Sequence, residues 1–203
     1  MKVFKYRTIQ ASSQGIYKEK GSKFLAFAFP VNLEDELKNH LEKLRKEYFD
    51  ARHHCYAFVL GADKSRFRAN DDGEPNHSAG DPILGQIRSK DLTNILIVVV
   101  RYFGGTKLGV SGLIQAYKVA AEDALKNAVI IEVDVMNEIS IQYDYSATPD
   151  VMKLVKDFDL VIKEQSFEDR SLLKAEFKIS VEEKLMDRLT LMRSMGTRIE
   201  WRQ

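Results

Sequence analysis

The stretch Ile95–Ala128, ILIVVVRYFGGTKLGVSGLIQAYKVAAEDALKNA, decides the fold of the N-terminal part of the chain. It opens on Ile95–Val100, an unbroken and mostly β-branched run. Such a run predicts a central strand covered on both faces. It ends on Ser111–Ala128, where Leu113, Ile114, Tyr117, Ala121, Ala124 and Leu125 recur at helical spacing. That spacing predicts a helix with one face in the core. Between the two lies a glycine-rich connection carrying Arg101 and Lys107, with Gly104, Gly105, Gly109 and Gly112 close together. Glycines at a strand-to-helix turn let backbone N–H groups approach an anion, and a helix start adds about half a positive charge. A tight turn with solvated basic residues reads the same sequence equally well. Neither GxxxxGK[ST] nor GxGxxG is present, so no nucleotide-binding signature accompanies it.

Working outward, Phe24–Val31 and His53–Leu60 read as further strands, and Leu33, Leu37, Leu41, Leu44 and Tyr48 as an amphipathic helix. In the second strand His53 and Cys55 share one face and His54 and Tyr56 the other, so the pair of histidines does not suit one metal. Cys55 is expected to pack, with His54 as the groove-lining histidine. Asp71-Asp-Gly-Glu-Pro75 sets three carboxylates in four residues. They form an oxygen ligand set for a hard cation such as Mg²⁺, or partners for Arg66, Arg68, Arg101 or Lys107. A solvated Asp-Gly turn is the plainer reading. Asn76–Leu84 follows, where Ser78 or Asp81 is expected to cap a short helix carrying Ile83, Leu84 and Ile87.

The character of the sequence changes near residue 135, which predicts two domains, 1–135 and 136–203. Only Gly196 represents glycine after Gly112. The second domain alternates plainly. Ile139, Ile141, Tyr143 and Tyr145 form one face of a strand. Thr148 caps and Pro149 starts a helix carrying Val151, Leu154, Val155 and Phe158. A hairpin turns at Glu168–Ser171, and Leu185, Leu189 and Met192 mark a second helix closed by Gly196. A short strand holding Trp201 ends it. The order βαββαβ is ferredoxin-like, a fold that hosts many functions and identifies none.

Composition narrows the class. The 203 residues carry 31 Lys plus Arg against 30 Asp plus Glu. Along the chain this becomes 20 basic and 17 acidic side chains before residue 136, a charge of +3, and 11 against 13 after it, a charge of −2. A non-specific polycation is excluded; a small charged groove is not. One Cys excludes an intramolecular disulfide. No apolar run approaches the ~18 residues of a membrane helix. The polar N-terminus MKVFKYRTIQ does not read as a signal peptide, so the cytoplasm is the expected location.

Taken in order, SKF at Ser22–Phe24, HHCYAF at His53–Phe58, DDGEP at Asp71–Pro75, AGDPIL at Ala79–Leu84, VVVRYFGGTKLG at Val98–Gly109 and SGLIQAY at Ser111–Tyr117 strongly resemble the Impact/YigZ family. The resemblance implies an α+β protein: an N-terminal α/β two-layer domain like the second domain of a small-subunit ribosomal protein, and a C-terminal domain similar to the last domain of elongation factor G. The first fold also occurs in GHMP kinases and translational GTPases. Eukaryotic relatives regulate translation by protein binding, without known catalysis. The resemblance therefore implies a non-enzymatic, translation-associated binding protein. Its expected partners are RNA or the ribosome, or a translation-related protein, with no cofactor, metal or membrane. A Mg²⁺-dependent enzyme acting on a phosphorylated small molecule is the remaining alternative. The expected binding residues are Arg52, His54, Asp71, Asp72, Glu74, Arg101, Tyr102, Gly104, Gly105, Lys107 and Gly109. Arg52, Arg101 and Lys107 would touch phosphate, and Tyr102 or Phe103 would offer a flat face. Two positions depart from many relatives: Asn76-His77-Ser78 after the acid motif, and Gln115 where Arg is common.

Overall fold

The computed structural model describes residues 2–167 and 170–203. In chain order they form β1 (Lys5–Ile9), β2 (Ser13–Glu19), β3 (Ser22–Pro30), α1 (Glu34–Glu47), β4 (His53–Leu60), β5 (Arg66–Asn70), α2 (Gly80–Ser89), β6 (Ile95–Tyr102), α3 (Gly109–Lys126), β7 (Ile130–Asp134), β8 (Met136–Tyr143), α4 (Thr148–Asp157), β9 (Val161–Phe167), β10 (Ser171–Lys178), α5 (Glu182–Ser194) and β11 (Ile199–Arg202). Two compact units result: residues 6–133, and residues 134–203 with the N-terminal residues through Lys5.

In the first unit β6 sits centrally because both of its faces are apolar. Ile95, Ile97 and Val99 pack with α2 and α3, while Leu96, Val98 and Val100 pack with Leu37 and Leu44 of α1. Antiparallel pairing with β3 and β4 gives the order β2-β3-β6-β4-β5. The expected helix-on-sheet pair thus gains α1 as a layer on the second face. β1 and β7 form a separate two-stranded sheet. Two helical residues differ from expectation. Ile114 is 39% exposed, because the core stripe of α3 runs through Leu113, Ala116, Tyr117 and Ala120. Leu33 is 64% exposed, because it precedes the first turn of α1 rather than joining its apolar face.

α3 lies unusually close to the sheet. A Cβ on Gly15 of β2 would meet the Ala124 backbone nitrogen at 2.2 Å. Three bonds fasten the same junction: Ser13 Oγ donates to the Ala124 carbonyl (2.7 Å), the Ile16 N–H to Asp123 Oδ2 (2.9 Å), and Asn127 Nδ2 to the Gln14 carbonyl (2.8 Å).

The second unit carries β8, α4, β9, β10, α5 and β11 with the antiparallel order β11-β8-β10-β9, the ferredoxin-like arrangement. Ile139, Ile141, Tyr143, Leu173 and Phe177 meet Val151, Leu154, Leu185 and Leu189 in one core. Tyr145 does not continue that face. The strand stops at Tyr143, and Tyr145 enters a 3₁₀ turn where it is 76% exposed. Thr148 is not the cap of α4; its hydroxyl donates to the Tyr145 carbonyl at 2.6 Å. At the end of α5, Gly196 N–H donates to the Arg193 carbonyl and Thr197 N–H to that of Met192, with Gly196 at φ +92, which is a Schellman cap. Glu168 and Asp169 of the expected hairpin turn lie outside the described residues.

Candidate functional site

The acid motif does not converge. Asp71 Oδ1 accepts from the Ala79 (3.0 Å) and Gly80 (2.8 Å) N–H groups, and Oδ2 from that of His77 (2.9 Å). Asp71 therefore caps α2 from a distance, a role expected of Ser78 or Asp81. Ser78 instead donates to the Pro75 carbonyl. Burial alone would raise the Asp71 pKa, but the three N–H bonds hold it below the usual carboxylate range. Asp72 Oδ2 accepts from the His54 N–H at 2.7 Å, and its other oxygen faces Arg45 at 3.6 Å. Glu74 turns inward. Its Oε1 accepts from Arg101 Nη1 at 2.5 Å and from Tyr117 Oη at 2.8 Å, and all three side chains are buried. Cys55 Sγ lies 3.3 Å from Tyr117 Oη and 3.0 Å from the Asp71 carbonyl, and burial pushes its thiol pKa up. Three carboxylates with three different partners are not one cation site. No group of three or more His, Cys, Asp or Glu side chains placed to hold a metal occurs among the described residues.

The glycine-rich loop has its own explanation. A Cβ on Gly104 would stand 1.9 Å from the Gly21 carbonyl carbon, and Gly104 N–H donates to Ser22 Oγ at 3.1 Å. Gly104 thus seats the loop on the β2–β3 turn rather than on an anion. Gly105 and Gly109 take left-handed φ values of +89 and +71, which turn the chain into α3.

What these contacts leave open is a cavity of about 810 Å³ at the start of α3. Leu108, Val110, Leu113, Phe103 and Pro75 form its apolar lining. The Glu74–Arg101 pair also borders it, with Arg101 lying 5.5 Å from the Phe24 ring centroid and 5.7 Å from that of Phe103. Asp50 accepts from Tyr102 Oη at 2.7 Å, and this bond, with burial, pushes the Tyr102 pKa up to about 12. Arg52 and Lys107 line the cavity as exposed cations with no carboxylate partner among the described residues. The first turn of α3 holds no acidic residue, and no side chain caps it. Its N–H groups and the two cations make this end locally positive.

The structure brings Arg52, Glu74, Arg101, Tyr102, Lys107 and Gly109 to the cavity, but not His54, Asp71, Asp72, Gly104 or Gly105. The histidines exchange roles. His53 lines the cavity, and its Nδ1 lies 2.9 Å from the Asp72 carbonyl. A carbonyl only accepts, so Nδ1 is the donor in this contact. Period-two alternation separates the two rings but does not say which face meets the cavity. Tyr117 was legible only as a core residue; its hydroxyl, on an otherwise apolar helix face, was the signal of a buried polar partner.

His54 is buried on the opposite side of β4, and its Nε2 has no hydrogen-bond partner among the described residues. Burial lowers its pKa against the opposing pull of Asp72. The unfolded chain, with a histidine pKa of about 6.5, then takes up the proton first. Stability is expected to fall as pH drops through about 6.5 and to level off below the folded pKa. Urea midpoints at several pH values will show this limb, and His54→Phe is expected to reduce it, leaving the part due to His40, whose pKa burial also lowers.

Fold and site together define a two-unit α+β protein with a cationic, aromatic-edged cavity at one helix start. The Impact N-terminal domain family matches residues 20–125, and the chain belongs to the IMPACT family. It is 31% identical over 179 residues to the IMPACT family member YvyE of Bacillus subtilis, covering 88% of this chain and 81% of that protein. A crystal structure described as a hypothetical protein is 27% identical, covers 97% of this chain and 96% of its own, and superposes with a TM-score of 0.75. A structure of the two-domain translational regulator Yih1 is 25% identical over 59% of this chain and 48% of its own, with a TM-score of 0.39. No helix among the described residues is long and apolar enough to cross a membrane.

Proposed function

We propose that this protein is a translation-associated, non-enzymatic binding module that takes phosphate of structured RNA or the ribosome at the start of α3. The observation that carries the reading is the cavity flanked by Arg52 and Lys107, both exposed and without carboxylate partners among the described residues, beside the acid-free first turn of α3. Phe103, 57% exposed, supplies a flat apolar face beside them. The translation setting follows from the family resemblance. The absence of catalysis is supported by the site's chemistry: Glu74, Arg101, Tyr117 and Cys55 are engaged with one another, and the thiol is held protonated by burial.

The test is binding to ribosomes and to a structured RNA across a salt series. Two phosphate contacts give a log–log salt slope of roughly −2. Arg52→Glu with Lys107→Glu is expected to abolish saturable binding and flatten the slope. Arg101 is unsuitable for this purpose, because its charge is buried against Glu74. Unchanged affinity in the double variant would remove RNA from the reading.

A further inference from the structure

We propose that the outer edge of β5 docks an extended acidic segment of a protein partner, which adds to the five-stranded sheet as a further strand. The two edges of that sheet differ. At β2 the outer backbone is already engaged, with Ile16 N–H bonded to Asp123 and the Gln14 carbonyl to Asn127. At β5 no hydrogen bond beyond the β4 ladder reaches the backbone of Arg66, Phe67 or Arg68 among the described residues. An open edge of this kind is a template for an added strand.

Side chains define what fits. Arg66 and Arg68 stand on the α1 face, beside a cavity of about 470 Å³ that Leu37, Leu41, Tyr56 and Phe58 also line. Arg68 has no carboxylate partner among the described residues; Arg66 meets Glu34 at 3.8 Å and more weakly feels Asp63, all exposed side chains whose pairing solvent screens. On the opposite face Phe67 is 51% exposed, with Arg88 over its ring at 4.4 Å. An added strand alternates its side chains in the same way. Positions beside the arginines call for Asp or Glu, and those beside Phe67 for apolar residues. A second copy of this chain does not fit, because antiparallel self-pairing sets arginine against arginine. RNA fits the open edge poorly, because it has no alternating peptide N–H and C=O groups to pair with the free backbone of β5.

The full chain is titrated with the blocked heptapeptides EVEVEVE and KVKVKVK and with hexauridylate, read by amide hydrogen exchange. The acidic peptide is expected to bind at least fivefold more tightly than the basic one and to slow exchange within β5. Arg66→Glu with Arg68→Glu is expected to reverse that preference, and Arg66→Gln with Arg68→Gln to erase it. Both pairs are exposed, and an unchanged melting temperature confirms that the variants fold. Equal binding of the two peptides, protection elsewhere, or protection of β5 by the RNA alone overturns the proposal. The Arg52→Glu, Lys107→Glu variant leaves this response intact, so the two sites fail or stand separately.

Discussion

Replacing Glu74 with alanine is expected to destabilise the N-terminal unit by about 3–5 kcal/mol, the usual cost of breaking a buried ion pair from one side. Glu74 accepts from both Arg101 and Tyr117, so its removal leaves a buried cation without its carboxylate and the Tyr117 hydroxyl without its acceptor. Arg101 Nε already lacks a hydrogen-bond partner among the described residues, so the guanidinium has little left to hold it. Glu74→Gln keeps an acceptor for Tyr117 and loses only the charge, so a smaller loss is expected. Glu74→Leu with Arg101→Met removes both charges and is expected to recover much of the stability. Trp201 lies in the C-terminal unit, so its fluorescence does not report this event. Hydrogen exchange in β6 does. If Glu74→Ala left β6 protection unchanged, the buried pair would not be holding the acid turn to the strand.

Gly15→Ala is expected to cost about 3 kcal/mol, at the upper end of overpacking. The new methyl carbon would lie 2.2 Å from the Ala124 nitrogen and 2.8 Å from its Cα, so the conflict is with helix backbone rather than a flexible side chain. Relief requires α3 to move off β2, which strains the bonds from Ser13, Ile16 and Asn127. The start of the same helix borders the cationic cavity. Under the proposed function, weaker RNA binding is expected to accompany the lost stability. A urea midpoint equal to wild type, read by exchange in α3, would show that the helix does not pack at this distance.

Much of the fold was legible because burial leaves a periodic trace. Ile95–Val100 announced a strand covered on both faces, and Leu185, Leu189 and Met192 a helix facing one sheet. Tyr145 and Ile114 were misread for a related reason: spacing continues past the point where an element ends or its buried stripe narrows. The site was legible as a set of motifs but not as a set of roles. The acid turn and the glycine-rich loop do meet, through Glu74 and Arg101. Yet Asp71 serves α2, Asp72 serves β4, and Gly104 serves the β2–β3 turn.

The sequence by itself determined the α+β class, the βαββαβ tail, the central strand and the family. Each rests on local periodicity or contiguous motifs, which need no knowledge of distant contacts. Only the tertiary structure decided which charges stay available. Among the basic residues expected to meet phosphate, Arg101 is neutralised by a carboxylate distant in sequence, whereas Arg52 and Lys107 keep their charge exposed at the cavity. The choice between His53 and His54 was likewise made by which face of β4 meets α1. Pairing and burial depend on residues that the chain brings together from far apart, and no spacing within a motif encodes them.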